Sequence, residues 1–169
     1  MELTKNLNLF IQTLNLNPII VCIGSPNVIG DSFGPITGQL LCDCFQIPTF
    51  VYGTVLSPVT AVNLKQTLRF IKAKHADRKI IAIDSAVGSY RDDRLRFFFG
   101  PVCPGKATGK NLPPIGDFSV TATVSEAVPL LFSAKLSEVY ALSRSVASAI
   151  NQAFVCRGRA QNLQSSATN

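Results

Sequence analysis

Two aspartates stand where an apolar chain least easily accommodates a charge. Asp84 closes the run Lys79-Ile80-Ile81-Ala82-Ile83-Asp84, and Asp31 follows the glycine-bearing segment Gly24-Ser25-Pro26-Asn27-Val28-Ile29-Gly30. A carboxylate at the end of an apolar strand must leave the core or be paired. Two carboxylates that approach each other cannot both ionise easily, so one pKa rises. Such a pair can share a proton and activate water, or hold a divalent cation. Each residue also has an ordinary structural use. Asp31 could be a helix N-cap, unless Ser32 takes that place and leaves Asp31 facing a crevice, and Asp84 could cap a helix or turn.

Other chemistries fit less well. A Walker loop needs four residues between its glycines and then Lys and Ser or Thr. Here five residues separate Gly24 from Gly30, and the next residue is Asp31, which would repel a phosphate. The dinucleotide fingerprint G-x-G-x-x-G is absent. His75 is the only histidine and sits with Lys72, Lys74 and Arg78 at a helix end, where a cation suits the dipole. That placement argues against Ser-His and Cys-His nucleophile schemes. Cys22, Cys42, Cys44, Cys103 and Cys156 are odd in number and irregularly spaced, which predicts free thiols in a reducing compartment. Cys42 and Cys44 face different sides of an expected helix and make no metal clip. Asp92-Asp93 reads as a turn, and Asp117 is a candidate third acidic member that could reach the crevice.

The elements that must position the aspartates follow from hydropathy. The chain has 169 residues, 47% hydrophobic and 15% charged, enough for one domain with a substantial core. We expect a single α/β domain over 1–156 and a polar, flexible tail over 157–169. Met1 to Asn17 lacks a secretory leader pattern, and no apolar run approaches a membrane span. A short helix is expected to end over Phe10–Leu16. Buried strands are expected over Pro18–Gly24, Thr49–Tyr52 and Lys79–Asp84, with helices over Asp31–Phe45 and Ser57–Lys74 between them. That order predicts a parallel sheet with helices on its faces, and ligands beyond the carboxyl ends of its strands. Leu95–Phe99 reads as a strand, Gly100–Gly116 as a long loop with a functional role, and Asp117–Val124 as a half-exposed edge strand. Leu130–Val155 reads as the last helix. The net charge is +6, and six of the sixteen basic residues fall between Lys65 and Lys79. Lys65, Arg69 and Lys72 share a helix face, read first as solvated and secondarily as an acidic or nucleic-acid contact.

At these residues the chain resembles the YyaC-type sporulation proteins. The likeness rests on Cys22-Ile23-Gly24, Gly30-Asp31-Ser32-Phe33-Gly34-Pro35, Val51-Tyr52-Gly53-Thr54, Pro58 to Leu64, and Ala82-Ile83-Asp84. It continues through Gly100-Pro101, Pro104-Gly105 and Leu112-Pro113-Pro114-Ile115-Gly116-Asp117, in order, from Pro18 to the final helix. That family is similar to the spore germination protease and, more distantly, to the hydrogenase-maturation endopeptidases. The resemblance implies an α/β three-layer sandwich, a mostly parallel central sheet with helices on both faces. It implies a spore-protease-family activity, peptide hydrolysis by Asp31 and Asp84, with Gly30, Ser32 and Ser85 beside the substrate. The maturation endopeptidases hold nickel with carboxylates and a histidine. This chain has no histidine in a comparable place, so no metal and no cofactor is implied. The expected partner is a protein or peptide, small acid-soluble spore proteins among them. Nucleic acid enters only indirectly and no membrane is expected. Self-association stays open, and the compartment is cytoplasmic, in forespore or spore. The chain departs from the family pattern at Pro26-Asn27, Ser85-Ala86 and Val124-Ser125-Glu126, all flanking the expected site. A non-catalytic binding or assembly protein that keeps the fold is the rival reading.

Overall fold

A computed structural model describes residues 17–91 and 94–166, with side-chain surroundings given as far as residue 158. The expected helix at Phe10–Leu16 and the expected turn at Asp92-Asp93 lie outside the described residues. Five strands form one sheet: β1 (Ile19–Cys22), β2 (Val51–Tyr52), β3 (Ile80–Val87), β4 (Leu95–Phe99) and β5 (Phe118–Ser125), in the order β2-β1-β3-β5-β4. All neighbours are parallel except β4 and β5. Strands covered on both faces leave no side for polar residues, which is why β1 reads Ile-Ile-Val-Cys without alternation.

Three helices supply that cover. On one face α1 (Phe33–Asp43) and α3 (Leu136–Ser166) pack Phe33, Leu41, Val146 and Ile150 against Ile20, Cys22, Ile81 and Ile83. On the other, α2 (Leu64–Lys74) packs Leu64, Leu68 and Ile71 against Ile19, Val21 and Ala82. The expected three-layer α/β arrangement is therefore the observed one. Burial pushes the Cys22 thiol pKa up, so it packs as a small apolar group.

Several boundaries moved for identifiable reasons. The helix expected from Ser57 begins only at Leu64. The Asn63 side chain turns back instead, accepting from the Thr60 N–H and donating to the Pro58 carbonyl, which holds residues 58–63 as a turn. The segment Val128–Ser133 is a 3-10 turn rather than the start of the last helix, with Pro129 near its beginning. That last helix starts at Leu136 and continues past Val155 to Ser166, into the segment expected as tail.

The largest correction concerns β5. It is an interior strand, buried at every position, and not a half-exposed edge. Phe118, Val120, Ala122 and Val124 face α3 as the alternation implied. Of the polar row Ser119, Thr121 and Thr123, Ser119 is covered by the loop 100–116, Thr121 lines a cleft and Thr123 lies beside Gly88. The Ser119 hydroxyl donates to the Gly100 carbonyl at 2.7 Å, and Gly116 lies against Ala82 and Ser119. A paired bridge between Val102 and Ile115 closes the base of that loop.

Candidate active site

The crevice forms where β1 and β3 part. They pair from Ile19↔Ile80 to Cys22↔Ile83. The Ile23 N–H still donates to the Ile83 carbonyl at 2.7 Å, and Ile23 then bridges to Val59. Chain order reverses here, β1 leading to β2 on one side and to β3 on the other, which makes this the switch point where open α/β sheets bind ligands. Asp84 is the first β3 residue beyond the end of β1. It is not at the strand's end, because Ser85, Ala86 and Val87 continue the ladder with β5.

Asp31 reaches the same crevice from the opposite wall. It lies in a 3-10 turn, Gly30–Ser32, that leads into α1. Its carboxylate is not a helix cap: Oδ2 accepts the Ser25 N–H at 2.8 Å and Oδ1 accepts the Ser85 hydroxyl at 3.2 Å. The turn can lie this close to β1 because of glycine. A Cβ on Gly24 would stand 2.0 Å from the Asp31 carbonyl oxygen, at a φ of +141° that side chains rarely adopt. Gly24→Ala is expected to cost about 3 kcal/mol or more of stability. A urea-denaturation midpoint equal to the wild type's would show that the contact is not needed.

The electrostatics of the two carboxyls differ. Asp84 is 7% exposed, and burial followed by the neighbouring Asp31 charge raises its pKa to about 8. Asp31 is only half-buried. Burial raises its pKa too, against the lowering pull of the Ser25 N–H, the Ser85 hydroxyl and the Lys110 charge. Asp84 therefore holds a proton more tightly than an ordinary aspartate, while the two donors and the Lys110 charge favour the Asp31 anion.

The pair sits where two clefts meet. One, of about 330 Å³, runs past Ser85, Val102, Cys103, Lys106 and Thr121. The other, of about 270 Å³, runs past Val28, Ala61, Leu112, Leu131 and Phe132. Asp31, Asp84, Gly105, Thr108 and Leu131 line both. The loop 100–116, read from sequence as functional, supplies much of both walls. The Val128–Ser133 turn supplies Leu131 and Phe132, which sequence reasoning missed by assigning most of that segment to a helix. The pattern that could have found them is an unbroken apolar run, Val128-Pro129-Leu130-Leu131-Phe132, with a proline at its second position and no helical periodicity.

Not every expected residue joins the site. Asp117 is at the other end of the sheet, four residues before the β5 position that faces Asp84 and so about 13 Å along the strand. Its carboxylate accepts the Ile80 N–H at 3.0 Å and pairs with Lys79 at 2.8 Å. Both side chains of that pair are more than a third exposed, so solvent screens most of its contribution to stability. Asp117→Asn is expected to leave any turnover unchanged, and a change in kcat would contradict this placement. Ser32 is buried with its hydroxyl donating to the Ile29 carbonyl, so it does not face a substrate. Gly30 is buried too, and its role is positional: a Cβ there would meet the Leu131 side chain at 2.7 Å. Ser85 does line a cleft, where it orients Asp31. His75 ends α2 and shares a hydrogen bond with the Tyr52 hydroxyl at 2.8 Å, remote from the pair. Lys65, Arg69 and Lys72 are exposed on α2, and none lines either cleft. Among the described residues no three His, Cys, Asp or Glu side chains form a metal-ligating group. No helix among them is long and apolar enough to cross a membrane.

A family model described as a protein of unknown function, DUF1256, matches residues 1–149. The chain belongs to the DUF1256 family. This DUF1256 chain is 34% identical over 108 residues to the uncharacterized protein YyaC of Bacillus subtilis (strain 168). That match covers 63% of this chain and 53% of YyaC, so the chain spans about half the length of that relative. Among solved structures, the [NiFe] hydrogenase maturation protease HycI from Thermococcus kodakarensis KOD1 is similar at 14% identity and a TM-score of 0.40, over 78% of this chain and 90% of that one. An uncharacterized protein from Wolinella succinogenes is similar at 17% identity and a TM-score of 0.41, over 89% of this chain and 99% of that one.

Proposed function

We propose that this DUF1256 protein hydrolyses peptide bonds, with Asp31 and Asp84 acting as a one-proton pair. The observation that carries this reading is that two carboxyls in unlike surroundings line both clefts: Asp84 buried, and Asp31 half-buried and held by two donors. Asp31 takes a proton from water as the water oxygen bonds to the scissile carbonyl carbon, while Asp84 gives its proton to the carbonyl oxygen. In the second half Asp31 passes its proton to the amide nitrogen, the C–N bond breaks, and Asp84 recovers a proton from the tetrahedral hydroxyl. Two clefts on either side of the pair suit an extended chain better than a compact small molecule.

A sporulation or spore protein as substrate, and a cytoplasmic forespore or spore setting, belong to this reading through the resemblance to the germination protease. The test is incubation of the purified protein with small acid-soluble spore proteins and with an unfolded protein mixture, followed by mass spectrometry of new N-termini. New termini that accumulate with time and vanish in Asp84→Asn support it. A folded protein that generates none, on either substrate set, leaves the clefts as a binding site and ends the hydrolytic reading.

A further inference from the structure

We propose that the cleft lined by Val28, Ala61, Leu112, Leu131 and Phe132 is a specificity pocket that seats one bulky apolar side chain beside the scissile bond. This rests on the hydrolytic reading of the pair. The pocket's walls are apolar, and the charged groups lining it are Asp31, Asp84 and Lys110. Its volume, about 270 Å³, leaves room for a single large side chain rather than a folded surface. Phe132 is 69% exposed although it stands on the pocket wall, so a seated side chain would cover an aromatic ring the fold leaves in water.

The electrostatics select in the same direction. An apolar occupant removes water from around Asp84 and keeps its proton in place. A lysine or arginine there would favour ionisation of both carboxyls, so Asp84 would lose to solvent the proton that the reaction needs. An acidic side chain would be desolvated against the Asp31 charge. The other cleft also has apolar lining, from Ala86, Val87 and Val102, but it adds Ser85, Lys106 and Thr121, so the two clefts present different polar groups to a bound chain.

The experiment measures kcat/KM on matched peptides carrying Phe, Leu, Ala, Asp or Lys at each position flanking the cleaved bond. Phe and Leu are expected to exceed Ala by about 10- to 100-fold at one flanking position only. Phe132→Ala, at an exposed position where loss of folding is not expected, should shrink that ratio mainly through KM. Ala61→Phe, which fills the pocket, should shrink it about tenfold or more. Equilibrium binding of the same peptides to Asp84→Asn, followed by fluorescence anisotropy, reads the pocket without turnover and should rank Phe and Leu first. Cleavage with no apolar preference overturns the pocket and leaves hydrolysis standing. An apolar ranking in binding with no cleavage of any peptide supports the pocket and removes hydrolysis. A flat ranking in binding overturns the pocket whether or not peptides are cut.

Discussion

Asp31→Asn and Asp84→Asn should each lower peptide hydrolysis by about a thousandfold or more, and the double variant should be little worse than either alone. The two carboxyls act on one proton, so removing either removes the same step. The wild-type rate should follow a bell in pH. Its acid limb reports Asp31, which must be ionised, and lies above the ordinary aspartate range because burial raises that pKa. Its basic limb reports Asp84, which must be protonated, and lies near pH 8. Ser85→Ala removes a hydrogen bond that favours the Asp31 anion, so it should move the acid limb upward and leave the basic limb near its place. Rates measured with internally quenched peptides from pH 4 to 10 check all of this. Either Asn variant retaining activity within about threefold of wild type would remove the pair from the mechanism.

Asp84→Asn should also make the protein more stable at alkaline pH. The folded-state pKa of Asp84 lies at about 8, above the value of an aspartate in an unfolded chain. The folded protein therefore holds this proton more tightly, and stability is greatest below the unfolded pKa and declines as pH rises through about 8. Above that range wild type carries the cost of a buried charge beside Asp31, up to about 5 kcal/mol, which the neutral amide avoids. At pH 9 the variant should melt at least about 5 °C above wild type, with the difference shrinking toward pH 5. A difference of the same size at both pH values, or wild type more stable at pH 9, would contradict the assigned ionisation. A group retained at such a cost is better explained by function than by folding.

The sheet was legible because β1 and β3 have no polar side, and chain order alone then placed Asp31 and Asp84 at one crevice. The cap reading of Asp31 could not be dismissed from sequence, since it turns on the direction of two hydrogen bonds, to Ser25 and Ser85. Alternation in β5 was real but its cause was misassigned: the polar row is buried, with Ser119 under the loop 100–116, and sequence periodicity does not distinguish a covering loop from solvent. Asp117 was misplaced because strand register was unknown, so the beginning of β5 could not be separated from the end that faces the crevice. Leu131 and Phe132 were absorbed into a helix because Pro129 is tolerated in a first helical turn.

The walls of the clefts come late in the chain. Asp31 and Asp84 are synthesised before the loop 100–116, before β5 and before the Val128–Ser133 turn, yet the crevice is lined by all three. A nascent chain that has exposed both aspartates still lacks the strand that completes the ladder along β3 and the leucine that lies against Gly30. The water around Asp84 is displaced only when those parts dock, and with it comes the shift that keeps the proton there. Order of synthesis thus acts as a timer: both acids emerge early, and the environment that pairs them arrives with residues 100–133.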